Sequence, residues 1–193
     1  MRERAISTAW AWFGNEEERS ASAASDQEAR FALLYQRTYP AVLGFLRLLV
    51  GSPEVAEDLT ALVFEKALAH FEEVRAPESA TAWLFRIARH AAADYFRRAK
   101  PTVSLDRLLP VEHPQAEAVE EGAIAREEAR VLLAHLERLP GREREVIGLK
   151  FVAQLTNREI ARVLQIPEGT VSSTLYRALR RLRTAFNEKG GAG

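Results

Sequence analysis

Apolar residues recur at three- and four-residue steps along most of this chain. From Glu28 the series is Phe31, Leu34, Tyr35, Val42, Phe45, Leu46 and Leu49, the period of a helix with one buried face. Pro40 is expected to bend or divide this stretch, and Gly51 to stop it. Ser52-Pro53 reads as an N-cap followed by proline in the first turn. The next helix is therefore predicted from about Glu54 to Phe71. Residues 72–80 read as a turn or loop. Ser79 or Thr81 is placed to cap a further helix that carries Trp83, Ile87, Ala91 and Tyr95 to about Arg98. Periodicity resumes at Arg126 with Val131, Leu132, Leu136 and Leu139. Pro140-Gly141 separates that run from a helical stretch over Arg142–Val152, and two more helices are predicted at roughly 156–164 and 167–186. Strand alternation is scarce and no hairpin signal is present, so the predicted fold class is all-α.

The breaks in the pattern divide the chain. Residues 15–27 hold no large apolar side chain and read as part of a flexible N-terminal extension, 1–27. Pro101, Pro110 and Pro114 interrupt helical continuity, which makes 101–123 a linker. Two small helical domains result, 28–100 and 124–189, with a short tail at 190–193. A length of 193 residues accommodates two domains of that size.

Charge changes the picture only when resolved along the chain. The 27 basic and 27 acidic residues cancel overall. Residues 75–100 nevertheless carry a net +4, residues 101–122 a net −4, and residues 142–189 a net +5. Basic helical blocks on either side of an acidic linker fit a polyanionic partner, although on charge alone two solvated helix faces are the better account. Composition excludes other classes. A 47% hydrophobic, 28% charged chain is globular in type. No apolar run approaches the roughly 18 to 20 residues of a membrane-spanning helix, so no membrane insertion is expected. The first fourteen residues are too short and too polar for a secretion signal. With no cysteine there are no disulfides, cysteine nucleophiles or thiolate zinc sites, which fits a cytoplasmic location. His70, His90, His113 and His135 are not spaced as pairs on one helical turn, so no metal or other cofactor is expected. No phosphate loop or nucleophile–base motif is present, and an enzyme is not expected.

The sharpest local signal runs from Leu155 to Arg183. Thr156 and Glu159 have the spacing of a capping box. Ile160, Ala161 and Leu164 supply a buried face, and Gln165-Ile166 a brief turn. Pro167 and Glu168 suit the start of a second helix, where a negative charge meets the positive helix end. Val171, Leu175, Leu179 and Leu182 are expected to face inward. Ser172, Ser173, Tyr176, Arg177, Arg180, Arg181 and Arg183 are then left outward. Two short helices with this turn form a helix-turn-helix, whose second helix enters the major groove. Thr170, Ser172, Ser173, Tyr176 and Arg177 lie early enough to touch base edges or nearby phosphates. Arg180, Arg181 and Arg183 are better suited to phosphates.

These motifs make the chain resemble the bacterial sigma-70 family, in particular its extracytoplasmic-function (ECF) RNA polymerase sigma factors. Leu139-Pro-Gly-Arg-Glu-Arg-Glu-Val-Ile147, Glu159-Ile-Ala161 and Glu168-Gly-Thr-Val171 resemble region 4. Ala56-Glu-Asp-Leu59, Phe64 and Trp83-Leu-Phe-Arg-Ile-Ala-Arg89 followed by Asp94 resemble region 2. The resemblance covers about residues 28–186. It implies a region 2 helical bundle and a region 4 helix-turn-helix. It also implies binding to core RNA polymerase, opening of the −10 element by the first domain, reading of the −35 duplex by the second, and control by an anti-sigma factor. Arg86, Arg89, His90, Tyr95, Arg97 and Arg98 are the corresponding candidates for −10 DNA. Opening a duplex calls for cations on phosphates and aromatic surfaces for exposed bases. Trp83, Phe85 and Phe96 are expected to be core instead. The loop at Glu72–Ala80 corresponds to the place where family members hold a flipped base.

The sequence also departs from the family pattern. Asp58, Ala61, Leu62 and Glu65 share the helix face that meets polymerase in the family, but Ala61-Leu62 replaces the usual Gln-Glu. Leu62 either offers polymerase an apolar contact or extends the stripe of Leu59 and Val63. His90 stands in place of asparagine, and Gln165 in place of a turn glycine. Ser172 and Thr174 stand where basic residues are common. Trp10, Trp12 and Phe13 lie in an extension without a family counterpart. Two alternatives stay open on these residues: a sigma-like decoy that does not initiate transcription, and a helix-turn-helix regulator that never enters polymerase.

Overall fold

The computed structural model describes residues 3–74, 77–98 and 130–190. Every regular element among them is helical, as the periodicity predicts. The linker at 101–123, the linker-proximal residues 124–129 and the end of the tail lie outside the described residues, as do the side chains of Trp10, Trp12 and Phe13.

Helix α1 runs unbroken over Glu3–Val50, with Pro40 inside it. Two expectations change here. The stretch read as a flexible lead-in is helical, because its alanines, glutamates and arginines are strong helix formers even without an apolar face. Pro40 does not divide the helix, because tertiary packing holds both sides of it. Tyr35 and Tyr39 lie against Phe64 with ring centroids 4.7 and 5.9 Å apart. Val42, Phe45 and Leu46 beyond the proline are fully buried. The helix ends at Gly51, whose φ of 78° lies in the left-handed region that glycine enters freely.

Helix α2, Pro53–Ala69, starts as expected: the Ser52 side chain accepts a hydrogen bond from the Val55 N–H and proline occupies the first turn. A single 3-10 turn, Phe71–Glu73, follows. Helix α3, Pro77–Arg98, begins at the proline, earlier than either expected cap. Buried alanines at 56, 67, 88, 91 and 92 allow α1, α2 and α3 to pack closely around Phe45, Phe64 and Phe85. Phe96 is exposed, contrary to the expectation that it is core; it lies edge-on to Tyr95 near the open end of α3.

In the second half, α4 covers 130–137. Arg144 ties its end to the next helix by donating to the carbonyls of Glu137 and Leu139. Burial lowers the Arg144 pKa, an effect the Glu137 carboxylate opposes. Helix α5, Gly141–Ile147, then widens into a π-helical turn, Gly148–Val152, where the Ala153 N–H reaches back to the Gly148 carbonyl. Helices α6, Asn157–Leu164, and α7, Glu168–Gly190, complete the chain.

The main core spans the two halves. Val42, Phe45 and Phe85 belong to the same apolar cluster as Val146, Leu149, Leu155, Ile160 and Leu164. The junction is tight at two glycines. A Cβ on Gly148 would lie 2.8 Å from a ring carbon of Phe45, and a Cβ on Gly44 would lie 3.2 Å from Cγ1 of Val152. A smaller cluster of Leu139, Ile147 and Ala178 lies within the second half.

Candidate nucleic-acid interface

The geometry of α6 and α7 follows from local chemistry. The Thr156 hydroxyl accepts from the Glu159 N–H at 3.3 Å, and the Glu159 carboxylate accepts from the Thr156 N–H at 2.7 Å. This reciprocal pair satisfies donors that the first turn leaves open. The hydrogen bonds from Thr156 hold the Glu159 carboxyl below its ordinary pKa. Ile160, Val163 and Leu164 are buried; Ala161 packs at the margin. Gln165 closes α6 in the left-handed conformation, φ 53° and ψ 47°. Its N–H bonds back to Ala161, and the Ile166 N–H does the same at 3.1 Å.

Helix α7 presents all of the expected outward residues. Thr170, Ser172, Ser173, Tyr176, Arg177, Arg180, Arg181 and Arg183 are all exposed, and Tyr176 is 67% exposed. Its inward face differs from the expected one. Val171, Thr174 and Ala178 are buried, whereas Leu179 is 42% exposed and Leu175 and Leu182 are half-buried. Small residues at 174 and 178 let α7 lie close to its neighbours, and the larger leucines fall to the edge of that contact. Thr174 is therefore a core position.

Several exposed groups already have partners. The Asn157 side chain donates to the Ser172 hydroxyl at 3.2 Å, which joins the starts of α6 and α7. The Ser172 hydroxyl donates to the Glu168 carbonyl, and that of Ser173 to the Thr170 carbonyl. Glu143 of α5 is buried under two arginines: Arg181 Nε lies 3.1 Å away and Arg177 Nε 3.9 Å. The closer contact has ion-pair distance without hydrogen-bond alignment. Arg180 and Arg183 make no ion pair among the described residues, so the positive charge of α7 is least offset there.

The six candidates on the first half do not form one surface. Arg86, His90 and Arg97 share an exposed face of α3. Arg97 pairs with Asp94 at 2.8 Å near solvent. Arg89 turns toward the second half, where its Nε lies 2.9 Å from Glu145 Oε1 on α5. Glu145 is held from the other side by Arg142 at 2.9 Å. Tyr95 and Arg98 point the opposite way. With Leu59, Leu62, Lys66, Ala91 and Asp94 they line a recess of about 240 Å³. That recess adjoins the second candidate set, in which Asp58, Ala61 and Glu65 are exposed and Leu62 is half-buried against the core. Of the loop expected at Glu72–Ala80 only residues 75–76 lie outside the described residues; Phe71–Glu73 form a 3-10 turn and α3 already begins at Pro77, so the connection is shorter than expected. Phe85 is buried and Trp83 packs against the core, as expected.

Sequence reasoning missed Glu143 and Glu145. No spacing rule marks a carboxylate on a short helix as the partner of arginines 34 to 56 residues away. Among the described residues no helix is long and apolar enough to cross a membrane. None of their histidine, aspartate and glutamate side chains gathers into a group able to hold a metal ion.

Comparison with known proteins assigns this architecture. Residues 34–102 match the family described as Sigma-70 region 2, and residues 129–182 match Sigma-70, region 4. The chain is 30% identical over 154 residues to the ECF RNA polymerase sigma factor SigM of Bacillus subtilis, covering 80% of this chain and 93% of that protein. It is 36% identical over 161 residues to the ECF RNA polymerase sigma factor RpoE of Cereibacter sphaeroides, covering 81% and 86%. The solved structure of CnrH in complex with the cytosolic domain of CnrY has the same fold, with a TM-score of 0.63 at 23% identity over 87% of this chain and 94% of that one. So does the sigma factor RpoE in complex with the anti-sigma factor NepR from Bartonella quintana, with a TM-score of 0.63 at 21% identity over 81% and 96%. With both regions in this order and relatives matched along nearly their whole length, the chain belongs to the ECF group of the sigma-70 family.

Proposed function

We propose that this protein binds core RNA polymerase in the cytoplasm and directs it to promoters, without enzymatic activity of its own. The observation that carries the reading is the pairing of a region 2 bundle with a capped helix-turn-helix whose second helix exposes Thr170, Ser172, Ser173, Tyr176, Arg177, Arg180 and Arg181. That helix reads the −35 duplex: its early residues meet base edges, and Arg180 and Arg181 hold phosphates. Arg86, His90 and Arg97 form the main −10 surface on α3. Arg89, Tyr95 and Arg98 face other sides of α3 and meet the DNA apart from that surface. Asp58, Ala61, Leu62 and Glu65 meet polymerase, with Leu62 and its recess supplying an apolar contact in place of the family's usual polar one. An anti-sigma factor is the expected regulator; the structural neighbours CnrH and RpoE were solved with CnrY and the anti-sigma factor NepR.

Run-off transcription with bacterial core polymerase, on DNA from upstream of the protein's own gene, tests the reading. A defined transcript that requires the protein is expected. Core binding without a transcript on any candidate promoter overturns it in favour of a decoy. Arg177→Ala is expected to lower −35-dependent transcription about tenfold while core affinity stays unchanged, the loss of one or two phosphate or base contacts. An equal fall in core affinity defeats that division of labour.

A further inference from the structure

Glu143 stands where a carboxylate is costly. It lies on α5 and is only 6% exposed, so water does little to hydrate its charge. Its place follows from the packing of α5 on α7. Residues 143 and 147 share one face of a helix, and Ile147 belongs to the small cluster with Leu139 and Ala178. Ala178 is fully buried, which lets α5 and α7 approach closely there. Arg177 and Arg181 lie on either side of Ala178, one turn apart, and Glu143 comes to rest beneath both. The neighbouring cations of α5 are directed elsewhere. Arg142 pairs with Glu145, and Arg144 donates to the carbonyls of Glu137 and Leu139. The charge of Glu143 is therefore met from the exposed helix.

We propose that Glu143 is a positioning residue that sets the sequence selectivity of α7, without touching DNA, by holding Arg177 and Arg181 as a pair. The proposal rests on the reading of those two arginines as −35 contacts. First, like charges one turn apart repel, and on an open helix the two side chains would splay. A carboxylate between them draws both guanidiniums to one place. Second, that hold leaves donors free. A guanidinium carries N–H donors on every edge. Glu143 meets each arginine at Nε, at 3.1 Å for Arg181 and 3.9 Å for Arg177, and neither contact is an aligned hydrogen bond. Arg177 is also fixed by a hydrogen bond from Nη2 to the hydroxyl of buried Thr174 at 3.1 Å. Charge thus anchors the inner edge of each guanidinium, while 56% of the Arg177 side chain and 61% of the Arg181 side chain stay exposed.

Third, the carboxylate withdraws charge from the surface. Two cations over one anion leave a net +1 where the arginines alone would give +2. Attraction to phosphates is the same for every sequence, whereas base-edge contacts made from a fixed register discriminate. Less charge with better-fixed geometry weakens the first and favours the second. Stability is a poor account of the arrangement, because desolvation offsets the attraction within a buried ion pair.

Anisotropy with a fluorescein-labelled promoter duplex tests the proposal, using holoenzyme assembled from the full chain and bacterial core polymerase. The duplex is the one that supports run-off transcription, and its control carries a scrambled −35 block. The ratio of the two affinities measures selectivity. Glu143→Gln keeps the shape of the side chain and removes its charge. It is expected to lower the ratio about five- to tenfold, the scale of one disturbed base contact. With the full chain alone on the scrambled duplex, the same variant is expected to bind about two- to fivefold more tightly at low salt, with a salt slope steeper by up to about one. Glu143→Asp keeps the charge and shortens the reach. It is expected to lower the ratio about two- to threefold and to leave the salt slope unchanged.

The outcomes separate the proposal from the reading beneath it. If Arg177→Ala and Arg181→Ala lower the ratio while both Glu143 variants keep the wild-type value, the proposal is overturned and the reading of the arginines stands. If the Glu143 variants weaken both duplexes by one common factor, Glu143 serves only the fold and the proposal is overturned. If neither arginine variant changes the ratio, the reading fails and the proposal fails with it. If Glu143→Gln does not fold, as read by urea unfolding, the Glu143→Asp ratio decides, and a wild-type value there overturns the proposal.

Discussion

At the scale of single residues, the turn of the helix-turn-helix is determined by Gln165. Its φ of 53° places a side chain in a region where glycine has no steric penalty. Gln165→Gly is expected to stabilise the second half by about 1 kcal/mol, measured as a shift in the urea midpoint at unchanged slope. The sequence pointed to this position because the family has glycine there. Gln154, at φ 56°, had no such signal and emerges only from the path of the chain after the π-helical turn.

The Thr156–Glu159 box makes a second prediction at this scale. Hydrogen bonds favour the ionised Glu159 carboxylate and lower its folded-state pKa. Its contribution is therefore complete above the ordinary carboxylate range and is lost as pH falls through the depressed folded value. Glu159→Gln retains part of the cap but cannot titrate. Stability of the variant is expected to fall less steeply than wild type between neutral and acid pH, as read from urea titrations across that range. Equal acid slopes would remove Glu159 from the account.

At the scale of elements, α7 shows what periodicity predicts and what it leaves open. A helical stripe was correctly expected, but its centre lies at Val171, Thr174 and Ala178 rather than on the leucine series. Binary patterning weighs large apolar residues, whereas close helix contacts select small ones. Leu179→Ala is accordingly expected to cost less than about 1 kcal/mol. Val171→Ala, at a fully buried position of α7, is expected to cost more, about 1.5–3 kcal/mol. Thermal or urea unfolding of the two variants side by side checks the assigned face. The same logic explains α1, where Pro40 reads as a break but burial on both sides of it holds the helix together.

At the scale of the whole molecule, one apolar cluster crosses both sigma regions. The wild-type chain is expected to unfold in a single calorimetric transition near neutral pH. Gly148→Ala, which acts only at the junction, is expected to resolve it into two. Two transitions in the wild type would mean that the halves are energetically independent.

The sequence by itself determined most of the helices, the capping box, the stop at Gly51 and the order of two sigma-like regions. Each of these depends on near neighbours: a three- or four-residue repeat, an N-cap, a proline or a turn glycine. It also placed the exposed face of α7, because seven polar or charged residues at helical spacing leave it few other places to go. Only the tertiary structure decided which arginines are available. Arg89 faces Glu145, Arg177 and Arg181 cover Glu143, and Tyr95 and Arg98 turn to the side of Leu62. These pairings join residues far apart in the chain, and their geometry is set by how α3, α5 and α7 pack. Gly148 is the clearest case: its own backbone would accept any residue, and only the Phe45 ring across the junction excludes a side chain.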